Sequence, residues 1–240
     1  MENTEFRVSP SLTQQGELAK TFMAKVFSWM ALALFLSGAT AWLFGSSSSL
    51  MSLLYTATEG RTLFGTIVMF APFAFILLIS FGFQRLSVPV LILSFIAYSI
   101  LMGMSLSFIF MIYAGSSIAS TFAIAGGMFG AMAILGYTTK TDLTGFGRIM
   151  MMGLIGIIIA SVVNMFIGSS GMSYLISFIG VLVFTGLTAY DVQKLKNIGS
   201  GVAEYGAATT DKLAIMGALS LYLDFVNLFL FLLNLFGRRR

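Results

Sequence analysis

The sequence contains neither cysteine nor histidine. The first absence excludes disulfides and thiolate metal sites. The second removes the usual zinc ligand and the side chain that most often changes charge near neutral pH. Charge of either sign is also scarce: 13 Lys and Arg with 9 Asp and Glu make up 9% of 240 residues. A soluble domain carries roughly 25%, because its core must be covered by a polar surface. This chain is 58% hydrophobic and has no such cover. It reads as an all-α integral membrane protein of a size that suits one bundle rather than several domains. The net charge of +4 is spread along loops, so it bears on orientation and gives no reason to expect a nucleic-acid partner. Any proton sensing falls to aspartate or glutamate.

What is present is apolar sequence in long runs. A helix needs about 20 such residues to cross the hydrocarbon core. Seven segments qualify: 23–45, 62–84, 87–113, 117–138, 147–168, 172–194 and 211–236. The runs are continuous rather than alternating, which favours helices over a barrel. The main polar interruptions are residues 47–61 and 196–212. About twenty polar residues precede the first run and no small-residue cleavage site follows it, so the first span is expected to be retained. The expected division is a cytoplasmic segment, 1–22, and one seven-helix membrane domain, 23–240. Gly126, Gly127, Gly130, Gly153 and Gly156 fall inside spans, where small residues let helices approach closely. The sixteen methionines read as adaptable packing.

With the N-terminus in the cytoplasm, the inner side receives Arg7, Lys20, Lys25, Arg85, Lys140, Arg148, Lys194, Lys196 and Lys212. The outer side receives Arg61 and Arg238, Arg239 and Arg240. That distribution favours N-terminus in. The terminal arginines dissent: either they tolerate the outer face or the last segment does not fully cross. Arg61 and Arg148 read as interface anchors.

Most acidic residues are placed easily. Glu2, Glu5, Glu17, Glu59, Glu204 and Asp211 lie in polar segments or at a helix entrance, and Asp142 sits in a short loop near Lys140. Asp191 and Asp224 instead lie within apolar sequence. A carboxylate at the centre of a span costs about 2.5–3.5 kcal/mol on insertion scales, so it faces protein or water and marks a functional position by default. Each heads a polar stripe: Thr185, Thr188 and Asp191 in the sixth span, and Ser220, Asp224, Asn227 and Asn234 in the seventh. These spacings hold each set to one side of its helix. The two spans are consecutive, so the carboxylates can face one another. Their depths differ, however, since Asp224 lies ~16 Å beyond Leu213 at 1.5 Å per residue. A tilt or a dipping entrance is needed to bring them level. Two carboxylates in a low-dielectric site share a proton rather than both ionise. Arg85, ending the second span on the same side as the end of the sixth, is one cationic partner for Asp191. Lys194, three residues along the same helix, is the rival. Asn164, Asn227 and Asn234 read first as interhelical hydrogen-bonding groups.

The segments "FTGLTAYDVQKLK" and "GALSLYLDFVNLFLFLLNLFG" resemble the carboxy-terminal signature of the Bax inhibitor family, the transmembrane Bax-inhibitor-motif proteins. "AILGYTTKTDLTGFGRIMMMGLIGIIIASVVNMF" is similar to that family's fourth-to-fifth-span signature, and "KVFSWMALALFLSGATAW" to its first span. The resemblance implies seven helices, the last at the centre of two three-helix layers. It also implies a pH-sensitive calcium leak, with Asp191 and Asp224 as the paired aspartates that sense pH and transiently hold calcium. Arg85 matches the arginine that latches the sixth-span aspartate. Gln84 and Leu86 flank it where some relatives carry further basic residues, and "FAPFAFILL" lacks the acidic residue that some carry in the second span. Thr188, Ser220, Asn227 and Asn164 are expected to line or support the path.

The leading expectation is therefore a leak in a bacterial inner membrane, with protons and calcium ions as its only small partners and no cofactor. The alternative is an interaction protein that modulates a membrane protease or a stress response through the N-terminal twenty residues. A proton-coupled transporter would show inverted repeats, and no convincing repeat is present. No nucleophile, metal set or phosphate loop accompanies the carboxylates, so an enzyme is not expected.

Overall fold

A computed structural model describes residues 12–56 and 60–239; Glu2, Glu5, Arg7, Glu59 and Arg240 lie outside the described residues. The elements run α1 (Leu12–Ser46), α2 (Ser48–Leu54), β1 (Tyr55–Thr56), β2 (Gly60–Arg61), α3 (Leu63–Gly82), α4 (Val88–Leu106), α5 (Ile109–Ile112), α6 (Gly115–Thr138), α7 (Thr144–Ile167), α8 (Ser170–Ser200) and α9 (Ala207–Phe236). Among the described residues, seven helices are long and apolar enough to span a bilayer, and they coincide with the seven expected segments. The protein is an all-α membrane protein.

The helices α1, α8 and α9 run furthest past the expected span limits. α1 begins at Leu12, inside the segment assigned to 1–22. Ala19, Phe22, Val26, Met30, Ala33, Ser37 and Ala41, spaced three or four apart, form one continuous buried stripe along it. Its first turns pack where α8 ends: a Cβ on Gly199 would lie 3.0 Å from both the Ala19 backbone and the Phe22 ring. α8 continues to Ser200 rather than stopping near 194, and α9 begins at Ala207. These extensions meet at one face, where Lys25 and Asp211 form an ion pair.

The third span is broken. α4 ends at Leu106 and α5 resumes at Ile109; between them Ser107 Oγ donates to the Met104 carbonyl at 2.7 Å, competing with the helical ladder. The polar interruption 47–61 forms α2 and a two-residue antiparallel pair, with Tyr55 opposite Arg61. At the other end of the chain, Arg239 bridges Tyr113 and the Ala114 N–H donates to the Arg238 carbonyl at 3.0 Å. The end of α9 is thereby held against the start of α6, on the face opposite the α1 start. At 30 residues, α9 is long enough to cross a bilayer.

α9 is the central helix, with 67% of its most apolar window buried against 6% for α7. It packs against α8, α1, α6 and α4, whereas α3 packs chiefly on α4 and α7 on α8. These contacts do not by themselves divide the other six spans into layers. On one side of α9, Tyr222 meets Tyr98 edge-on at 5.6 Å, and Phe225 and Phe229 meet Phe122 at 5.1 and 5.8 Å.

The glycines that permit close approach are mostly not the expected ones. A Cβ on Gly126, Gly127, Gly130 or Gly156 would meet nothing within 4 Å. Of that set only Gly153 faces a neighbour, Val183 at 2.9 Å. The tight crossings are at Gly136, where a Cβ would lie 2.1 Å from the Ala189 carbonyl oxygen, and at Gly103, 2.4 Å from that of Ser37. Which glycine meets a backbone is decided by helix rotation, which glycine spacing alone does not determine.

Candidate functional site

α8 and α9 are antiparallel neighbours joined by residues 201–206, and their polar stripes face one another. Ser220 Oγ donates to Asp191 Oδ2 at 2.6 Å. Because α8 runs to Ser200, the expected depth mismatch narrows to one helical turn: Asp191 is level with Ser220 rather than with Asp224. Asp191 lies ~14 Å from that helix end and Ser220 ~20 Å from the start of α9, at 1.5 Å per residue. Asp224 stands one turn deeper than Ser220, is 5% exposed, and lies close enough to Asp191 for their charges to interact. Its Oδ2 is buried and, among the described residues, has no hydrogen-bond partner.

Asp191, Ser220, Asp224 and Asn227 line one cavity of about 570 Å³. Apart from Ser161 of α7 its remaining walls are apolar and include Leu154 and Ile157 of α7, Phe184 and Leu187 of α8, and Phe73 of α3. Five oxygen-bearing side chains thus line a space whose other walls do little to solvate charge. A hard cation that takes six to eight oxygen ligands would find only part of its shell among these groups. Among the described residues, no cluster of three or more Asp or Glu side chains forms a closed metal site.

The remaining candidates fall elsewhere. Thr188 is fully buried and its hydroxyl donates back to the Phe184 carbonyl at 2.8 Å; Thr185 does the same to Val181 at 2.5 Å. Asn227 Nδ2 donates to the Leu223 carbonyl at 2.8 Å while its side chain borders the cavity. Asn164 fastens the turn between α7 and α8. Its Nδ2 donates to Ser173 Oγ at 2.8 Å, and its Oδ1 accepts from the Ser169 N–H at 3.1 Å. Gly168 makes that turn with φ at +67°, a conformation side chains resist. Asn164, Ser173, Ser177, Asn234 and Arg239 border a second cavity, of about 790 Å³, toward the face that carries the chain's end. Asn234 Nδ2 donates to Ser177 Oγ at 2.7 Å.

Arg85 follows α3 and is exposed. Among the described residues, the one cation–carboxylate contact of ion-pair length is Lys25 with Asp211, so neither Arg85 nor Lys194 pairs with Asp191 here. Asp191 takes its hydrogen bond from Ser220 instead, although the Lys194 charge still acts on it. Lys212 Nζ donates to the Phe83 carbonyl at 3.2 Å, tying the start of α9 to the segment that bears Arg85.

Gln193 was not singled out by sequence reasoning. Its Nε2 donates to the Thr141 carbonyl and its Oε1 accepts from the Leu143 N–H, both at 2.8 Å, pinning the α6–α7 loop to α8. An amide two residues from an aspartate set in apolar sequence was the available signal. In that loop, Asp142 Oδ1 accepts from the Thr144 hydroxyl at 2.6 Å and the Thr144 N–H at 2.9 Å. These bonds, with the Arg148 charge, hold its carboxyl below the usual range.

The profile of a family described as "Inhibitor of apoptosis-promoting Bax1" matches residues 19–240. The chain is 46% identical over 235 residues to the "Inner membrane protein YbhL" of Escherichia coli (strain K12), covering 98% of this chain and 99% of that one. It is 46% identical over 223 residues to "Uncharacterized protein RP147" of Rickettsia prowazekii, covering 92% and 91%. An "Uncharacterized membrane protein", M6_Spy0327 of Streptococcus pyogenes, is 36% identical over 228 residues, covering 94% and 96%.

Proposed function

The chain belongs to the Bax inhibitor family, and from that premise we propose that it is a passive, pH-gated calcium leak of a bacterial inner membrane. The observation that carries this reading is the placement of Asp191 and Asp224 on one largely apolar cavity, the first accepting from Ser220 and the second with a buried unpartnered oxygen. The inner-membrane setting rests on the seven spans and on the name of the relative from Escherichia coli. The N-terminus is assigned to the cytoplasm by the distribution of Lys and Arg.

Two carboxylates in such a cavity cannot both ionise cheaply. At low pH they share a proton, and the hydrogen bond between them ties α8 to α9. Loss of that proton leaves two anions that repel each other and present hard oxygen ligands, which suit calcium better than a soft metal. Asn227 and Ser220 supply neutral oxygens beside them. Arg85 is the latch: when the segment after α3 moves inward, its guanidinium competes with Ser220 for Asp191 and replaces the permeant cation. The charges bearing on the pair are therefore few: Lys194 on the same helix, Arg85 from the segment after α3 once it moves inward, and no acid or base from the cavity wall that α7 supplies.

The test is calcium flux into proteoliposomes across roughly pH 5 to 8. Native flux is expected to rise with pH, and Asp191→Asn and Asp224→Asn each to flatten that rise. Folded native protein that passes no calcium at any pH would overturn the leak and turn the search toward protein partners such as a membrane protease.

A further inference from the structure

The polar stripe of α9 contains one residue that does not belong to it. Ser220, Asp224, Asn227, Phe231 and Asn234 follow steps of four, three, four and three, which keeps all five on one face. Four are polar. Phe231 alone is apolar, and it stands between Asn227 and Asn234, positions ~10 Å apart along the axis at 1.5 Å per residue.

The structure shows what that position separates. The cavity holding Asp191 and Asp224 and the polar cavity toward the chain's end share only two lining residues, Ser161 of α7 and Phe231 of α9. The register of α8 against α9 accounts for the fit. Asp191 meets Ser220 and Ser177 meets Asn234, both by hydrogen bonds; the same antiparallel register sets Gly180 opposite Phe231. A Cβ on Gly180 would lie 2.6 Å from the Phe231 ring, so the ring occupies a notch that only glycine leaves open. Its other neighbour on α8 is Phe184, with ring centroids 5.8 Å apart. Phe231 is half-buried rather than locked in the core.

We propose that Phe231 is a hydrophobic gate between the aspartate cavity and the polar vestibule bordered by Asn164, Ser177 and Asn234. This rests on the leak reading and adds a second, far-side barrier to it. A hydrated ion moving between the two cavities must pass the ring, and an apolar constriction of this kind blocks ions by excluding their water. The ring opens the way by leaving the Gly180 notch, without movement of either helix. Asn164 and Asn234 then form the far mouth of the path rather than only fastening helices.

The absence of cysteine allows a direct test. Asn227→Cys and Asn234→Cys are introduced singly, each with Phe231 retained or changed by Phe231→Ala, and treated in proteoliposomes with a membrane-impermeant methanethiosulfonate from the face that carries the C-terminus. Cysteine at 234 is expected to react at the same rate in both backgrounds. Cysteine at 227 is expected to react roughly tenfold or more faster once the ring is removed, and calcium flux in the otherwise native Phe231→Ala protein to rise by a similar factor. Phe231→Leu should give intermediate rates, and it carries the test if the alanine variant does not fold. Equal reactivity at 227 with and without the ring overturns the gate, as does unchanged calcium flux in a preparation whose native protein leaks. Reactivity at 227 that follows the ring while no variant passes calcium keeps the gate and overturns the leak.

Discussion

The two sides of α9 are built from different materials. Toward α1, α4 and α6 it presents Tyr222, Phe225 and Phe229, interlocked edge-on with Tyr98, Phe122 and Phe129. Toward α7 and α8 it presents a serine, an aspartate and two asparagines beside open space. The first side fixes where the helix stands; the second is where it can respond. A carboxylate buried in the aromatic side would find the hydroxyls of Ser37, Tyr98 and Tyr222 but no second carboxylate to share a proton with. On the groove side the same group has Asp191 for company and room for a cation and its water. Rigidity and responsiveness are divided between two faces of one helix.

That division can be broken most severely from the packed side. Phe225→Ala removes a ring that touches both Phe122 and Phe129 and is expected to cost about 3–5 kcal/mol, read as a lower unfolding midpoint in detergent. The pH dependence of flux should survive wherever the protein stays folded. Gly136→Ala forces a methyl against the Ala189 carbonyl oxygen, backbone to backbone, and is expected to cost about 1–3 kcal/mol by the same measurement. The control, Gly127→Ala, meets nothing within 4 Å and should be neutral or slightly stabilising. On the groove side the balance reverses. Ser220→Ala removes the donor to Asp191 at a cost of about 1 kcal/mol in stability, yet it should alter the pH dependence of flux, which Phe225→Ala leaves in place.

The smallest effect is expected outside the membrane. The Asp142 carboxyl is held below its ordinary value by the Thr144 hydroxyl and N–H. A depressed value in the folded state means that its contribution is complete above the unfolded value near 4 and is lost as pH falls through the folded one. Asp142→Asn should therefore flatten a slight decline in melting temperature below about pH 4 and leave flux unchanged.

Much of the groove side was legible in the sequence. A carboxylate costs so much in lipid that Asp191 and Asp224 stand out from any apolar run, and the stripe below Ser220 follows from helical spacing alone. The tertiary particulars were not. Gly126, Gly127 and Gly130 look like a packing motif, yet Gly136 makes the close crossing, because helix rotation decides which small residue meets a neighbour. Phe231 is one of 24 phenylalanines, and nothing local marks it; its position opposite Gly180 emerges only from the register between helices. The extent of α1 was missed because residues 12–22 look like a polar leader. Their apolar positions, Ala19 and Phe22, have a partner only once α8 is seen to run on to Ser200. Arg85, placed by parity beside Asp191, stands free of it here while Ser220 holds the carboxylate.

One wall of the aspartate cavity is not protein. α3 and α7 flank it, each braced chiefly on a single neighbour, and the outward residues Phe73, Ile158 and Val162 line its rim. Acyl chains must complete the enclosure. At 24 residues α7 is ~36 Å long, set against a hydrocarbon core of about 30 Å. A span longer than the core is accommodated by tilting, kinking or locally thickening the bilayer, at only fractions of a kcal/mol per Å. The length of the lipid tails thereby bears on the outer wall of the site, and reconstitution in shorter- and longer-tailed lipids is expected to change flux more than it changes the unfolding midpoint.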